Sequence, residues 1–163
     1  MTGHPNYERA EQLLRRTKAL GYMIVTAESC TGGLIAATLA AVPGASASLE
    51  RGFVTYSNEA KAELLGVPED LLRDHGAVSR EVAIAMARGA LAHSPGHLAV
   101  AVTGIAGPSG GSAEKPVGLV HVAAARRDGL ALHEEMRFGE IGRHAVQYET
   151  VSVALDMLTR LLD

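Results

Sequence analysis

Ser29 lies in the run Ala27-Glu28-Ser29-Cys30-Thr31-Gly32-Gly33, between a segment with strand character (23–26) and one with helical character (34–42). A hydroxyl and a thiol at such a turn face the free N–H groups of the helix start, which hold an anion or a developing oxyanion. The two following glycines allow close backbone approach by a ligand. Cys30 is a rival nucleophile, because thiolates form readily at helix starts. It fits equally well as a small buried core residue. Glu28 suits a general acid, or a charge that merely flanks the turn.

Lys61, like Ser29, lies at a strand's C-terminal edge or the helix start after it, the edge where open α/β sheets bind ligands. It falls in about the first turn of a short helix (59–65) capped by Asn58, where a cation opposes the helix dipole by ~0.3–1 kcal/mol. The same field, like desolvation, favours the neutral amine. A neutral lysine can take the proton of a serine hydroxyl, an alternative to the histidine-assisted triad. Tyr56, at the end of the preceding strand, is placed to relay a proton or orient the lysine. A capping turn and a surface lysine are the plain alternatives, and both remain open at this stage.

The run Thr103-Gly104-Ile105-Ala106-Gly107-Pro108-Ser109-Gly110-Gly111-Ser112 leaves an apolar strand and should emerge on the same edge as Ser29. Its glycines expose N–H groups that can surround a phosphate or an oxyanion, although a flexible loop reads the same way. It matches neither the P-loop nor the Rossmann pattern. Arg143, near the start of the last helix, suits a phosphate or stands as a solvated arginine. The run His75-Gly76-Ala77-Val78-Ser79 reads as a turn entering a capped helix, with no chemistry assigned to it.

The elements that must position these groups follow from periodicity and punctuation. Residues 7–20 form an amphipathic pattern with Leu13, Leu14 and Leu20 on one face and Gly21 as its stop. Residues 52–57 are rich in strand formers. A second short helix spans 68–74, with Pro68 at its first position. Ser79 caps a helix over 80–92, with Glu81 in its first turn. Residues 97–102 are a continuous apolar run, as in a strand buried on both faces. A loop spans 103–116. Residues 118–125 and 130–138 then form a hairpin around Arg126-Arg127-Asp128-Gly129, and a last helix covers about 143–162, with Val146, Val153, Met157 and Leu161 near one stripe. Strands alternating with helices, then a hairpin, predict a three-layer α/β/α sandwich with a mixed, mostly parallel sheet of about five strands.

At 163 residues the chain fits one domain spanning 1–163. No segment approaches the ~18 uninterrupted apolar residues of a membrane span. The start, Met1-Thr2-Gly3-His4-Pro5, lacks the apolar stretch of a secretory signal. The single cysteine excludes an internal disulfide, and a cytoplasmic protein is expected. A net charge of −3 gives no electrostatic ground for binding nucleic acid, and 4% aromatics with no tryptophan give no stacking platform. The seven histidines form no metal pattern. His93 and His97 have helical spacing, but Ser94-Pro95-Gly96 breaks the helix between them, and the histidines read as surface or packing residues.

Taken together, these segments resemble the CinA C-terminal domain family, which also occurs as a free-standing nicotinamide mononucleotide amidase. The matching runs are residues 26–33, 51–61 and 75–79, then Thr103-Gly104-Ile105-Ala106-Gly107-Pro108 and Lys115-Pro116-Val117-Gly118. The resemblance implies hydrolysis of the carboxamide of nicotinamide mononucleotide to nicotinic acid mononucleotide and ammonia, with no metal or organic cofactor. It implies Ser29 as nucleophile, Lys61 as base and Tyr56 as supporting hydroxyl. Thr103 and the Gly104 loop would line the pocket, the Cys30 and Thr31 amides beside Gly32 would form the oxyanion hole, and Arg143 would take the phosphate. It also makes a homodimer, and the stand-alone form lacking the extra N-terminal domain of larger members, the expectation. One run departs from the family pattern: Phe138-Gly139-Glu140-Ile141-Gly142-Arg143 is a residue longer, and Gln147 stands where a second arginine often lies. A non-catalytic nucleotide-binding module is the alternative from another class, and an amidase for a related pyridine nucleotide is a third reading.

Overall fold

Leu98, Val100 and Val102 point to one side of a sheet and Ala99 and Ala101 to the other, and both sides are buried. This alternation generates the layers. The computed structural model describes residues 5–163. The expectations placed on residues 1–4, namely the signal reading and His4, lie outside the described residues.

In chain order the elements are α1 (Pro5–Leu20), β1 (Ile24–Glu28), α2 (Leu34–Ala40), a 3-10 turn (Ala45–Ala47), β2 (Leu49–Val54), α3 (Asn58–Leu65), α4 (Glu69–His75), α5 (Arg80–Ala92), β3 (Leu98–Gly104), β4 (Leu119–Arg126), β5 (Ala131–Arg137) and α6 (Arg143–Arg160). The five strands form one mixed sheet in the order β2-β1-β3-β4-β5. β2, β1 and β3 run parallel, and the β3/β4 and β4/β5 pairings are antiparallel, so the pairings divide evenly between the two kinds. Helices α1, α2 and α6 cover the face carrying Leu98 and Val100, and α3, α4 and α5 cover the other.

From β1 the chain crosses to β2 on one side, then returns past β1 to β3 on the other. This reversal opens a crevice outside the C-terminal end of β1, where open α/β sheets bind ligands. The face under α5 is built from Ala99, Ala101, Ala123 and Ala125, whose short side chains let the helix lie close. Gly89 on α5 is pressed against the Leu65 backbone carbonyl at the end of α3, leaving no space for a side chain.

Several boundaries differ from the sequence expectation. β2 covers 49–54 rather than 52–57, because pairing of Leu49 through Val54 with β1 outweighs strand propensity at Thr55 and Tyr56. Ser57 rather than Asn58 caps α3, its Oγ accepting from Ala60 N at 3.0 Å. Pro68 precedes α4 instead of opening it. Leu20 follows the periodicity of Leu13 yet is 53% exposed, because the buried part of α1 ends at Thr17.

Candidate active site

Three neighbouring parallel strands deliver the candidate residues to one edge. β1 ends at Glu28 and hands Ser29 to a tight turn, β2 leads into Thr55 and Tyr56, and β3 ends on Thr103 and Gly104. Between them lies a cavity of about 270 Å³ lined by Ser29, Cys30, Tyr56, Asn58, Lys61, Thr103, Gly104 and Arg143, among others. Thr31 and Gly32, expected at the substrate, are outside this lining.

Lys61 is one of the largest fully buried side chains. It sits one turn into α3, and helical side chains tilt toward the helix N-terminus. Its Nζ therefore reaches back to the Thr55 carbonyl at 2.9 Å and the Tyr56 carbonyl at 3.3 Å, and lies 3.1 Å from Ser29 Oγ. Among the described residues, no carboxylate bonds to it. Burial holds the amine below the ordinary lysine value. The opposing influence is a negative charge on Cys30. That charge is absent at neutral pH, because burial, its largest cause, pushes the Cys30 thiol up to about 12. A neutral amine has two N–H groups and one lone pair, which suits two carbonyls and one hydroxyl.

Cys30 is thus a protonated core residue rather than a competing thiolate. It is 4% exposed and packs with Ile35 and Leu39. Glu28 is no general acid in this geometry. Fully buried, it accepts from Thr31 Oγ1 at 2.6 Å, Ile35 N at 2.8 Å and Ala36 N at 3.0 Å. It caps α2 from the preceding strand, since Gly33 at the N-cap position has no side chain to do so.

The free helix-start amides expected from the sequence are therefore consumed, with Leu34 N donating to Thr31 O as well. Within the turn, Ser29 N donates to Val102 O and Gly32 N to Ser29 O. Among the described residues, the Cys30, Thr31 and Gly33 amides are the turn donors without a backbone acceptor, and of these Cys30 and Thr31 directly follow Ser29.

Tyr56 does not support the lysine through its hydroxyl. That group accepts from Arg143 Nη2 at 2.7 Å, and only the Tyr56 carbonyl touches Lys61. Arg143 Nη1 donates to Gly107 O at 2.8 Å, so the guanidinium bridges the β2–α3 and β3–β4 loops at the cavity mouth. Thr103 Oγ1 donates to Ala77 O at 2.9 Å. Gly104 leaves no room for a Cβ, which would fall 2.8 Å from Leu119 O.

Other lining residues escaped the sequence reading. Ala77 and Val78, in the run assigned no chemistry, form part of the wall. Asn58 lines the cavity instead of capping α3; its position three residues before Lys61 on one helix was the available signal. Gln147, noted in the sequence only for standing where a second arginine often lies, is outside the lining, and its Nε2 donates to the Cys30 carbonyl at 3.0 Å. His121 and His133 pack against each other, ring centroids 5.2 Å apart and Nδ1 to Nε2 2.9 Å, away from this cavity.

Comparison with known proteins agrees with the resemblance. Residues 6–162 match the family model described as the CinA C-terminal domain. The chain is 46% identical over 158 residues to the nicotinamide-nucleotide amidohydrolase PncC of Escherichia coli K12, covering 97% of this chain and 95% of that protein. It is 53% identical over 142 residues to a CinA-like protein of Geobacter sulfurreducens, of which it spans only 34%. The crystal structure of the competence/damage inducible protein CihA from Agrobacterium tumefaciens superposes with a TM-score of 0.98 at 53% identity, covering 100% of this chain and 99% of that one. The chain belongs to the CinA C-terminal domain family.

Proposed function

We propose that this chain is a serine amidohydrolase that removes the carboxamide nitrogen of nicotinamide mononucleotide, giving nicotinic acid mononucleotide and ammonia. The observation that carries the proposal is the buried Lys61 Nζ, 3.1 Å from Ser29 Oγ and held by two carbonyls without a carboxylate. The likeness to PncC supports the choice of substrate. Ser29 attacks the carboxamide carbon while neutral Lys61 takes its proton. The oxyanion meets the Cys30 and Thr31 amides, one good donor being worth ~3 kcal/mol. The C–N bond breaks as the proton passes from Lys61 to the leaving nitrogen, and ammonia departs. Water, deprotonated by the same lysine, cleaves the Ser29 ester and releases the carboxylate product.

Arg143 and the Tyr56 hydroxyl at the mouth receive the phosphate, and Thr103 with the Gly104 loop forms the wall opposite Ser29. A homodimer working in the cytoplasm completes this proposal; among the described residues no helix is long and apolar enough to cross a membrane.

The test measures ammonia from nicotinamide mononucleotide with wild type and Ser29→Ala side by side. Release by wild type and its loss in the variant supports the proposal. Undiminished release by Ser29→Ala, or tight nucleotide binding without any release by wild type, overturns it.

A further inference from the structure

Gln147 lies one turn beyond Arg143 on α6, outside the cavity lining. Its Nε2 reaches the Cys30 carbonyl at 3.0 Å, across 117 positions of sequence. The remaining bonds of the turn come from nearby in the chain or from β3. Gly32 N on Ser29 O fixes the Ser29–Cys30 peptide, and Glu28 fixes the Thr31 side chain. Neither sets the rotation of the Cys30–Thr31 peptide, whose carbonyl is taken by Gln147.

That peptide is trans, so its carbonyl and the Thr31 N–H point in opposite directions. Whatever holds the carbonyl aims the amide. The bond is also a tie from α6, the helix that opens with Arg143, to the turn that carries the nucleophile.

We propose that Gln147 is a positioning residue for the hydrolysis: by holding the Cys30 carbonyl it fixes the direction of the Thr31 amide toward the developing oxyanion. The inference rests on the amidohydrolase reading and adds a residue that lies outside the cavity lining. It depends on the donor chemistry of the side chain and not on its bulk, which separates it from simple packing of α6.

Three variants test it. Gln147→Leu removes the donor, Gln147→Glu sets a carboxylate oxygen against the carbonyl, and Gln147→Arg restores an N–H. The expected result is kcat per folded molecule lower by about 10- to 100-fold in Leu and Glu, with KM for nicotinamide mononucleotide within about threefold of wild type. Gln147→Arg should recover most of kcat. Unchanged kcat in Leu and Glu with a lowered Tm, or an Arg variant no better than Leu, overturns the inference.

A second arm does not depend on the substrate. Covalent labelling of Ser29 by a fluorophosphonate forms an oxyanion-like adduct at the same turn, and should slow about tenfold or more in Leu and Glu. Labelling at the wild-type rate in both overturns the positioning role. If wild type releases no ammonia from the nucleotide, the functional reading falls while this arm still decides the role of Gln147.

Discussion

Replacing Lys61 by methionine should abolish hydrolysis and change how stability depends on pH. Burial lowers the pKa of Lys61 from its ordinary 10.5. In the unfolded chain the amine is protonated at neutral pH, so the unfolded state binds more protons and wild-type stability rises with pH. The rise begins at the lowered folded-state pKa and ends near 10.5. Its slope approaches about 1.4 kcal/mol per pH unit where the folded amine is neutral. Methionine carries no such dependence. It forfeits the donors to the Thr55 and Tyr56 carbonyls, a loss on the order of 1 kcal/mol each, but that loss is the same at every pH and cancels from the comparison. Between pH 7 and 9 the stability of Lys61→Met relative to wild type should therefore fall by up to about 2.7 kcal/mol. Urea denaturation at pH 7, 8 and 9 measures it. A stability difference that stays constant across this range means that Lys61 is charged in the folded protein, and the general-base reasoning fails.

Cys30→Ala should keep kcat within a few-fold of wild type, and iodoacetamide at pH 7.5 should leave activity intact, because burial holds the thiol protonated with a pKa of about 12; rapid inactivation by alkylation of Cys30 would contradict this. Glu28→Gln weakens the cap of α2, replacing a carboxylate that accepts three hydrogen bonds with a group that has one amide oxygen, and should cost about 1–3 kcal/mol by denaturant titration. Burial lowers the pKa of both His121 and His133 from 6.5. Protonation therefore favours unfolding, and stability should decline as pH drops below about 6.5 toward the folded values; melting curves at pH 7.5 and 5.5 should differ less in His121→Gln than in wild type.

Much of the fold was legible because its signals are local. The apolar run at 97–102, the glycine stops after residues 20 and 65, and the Ser79 cap each act over a few residues, and each appears in the structure. The pairing of Ser29 with Lys61 was legible as chemistry but not as distance, which comes from β1 and β2 lying side by side. Local patterns mislead where a long-range partner takes over a local role. Glu28 caps a helix it does not adjoin, the Tyr56 hydroxyl is claimed by Arg143 from the far end of the chain, and the Cys30 carbonyl is held by Gln147. None of these partners lies within a turn of its target, so no pattern of spacing announces them.

The close seat of α3 on Gly89 ties a position outside the cavity lining to the Ser29–Lys61 pair. A methyl group there would meet the Leu65 carbonyl and lever the last turn of α3 away from α5. Lys61 rides on that helix, one turn earlier, so the displacement would pass along a rigid rod to the amine facing Ser29. A substitution at residue 89, outside the cavity lining, would thus reach the crevice through α3 and alter where Lys61 stands relative to Ser29.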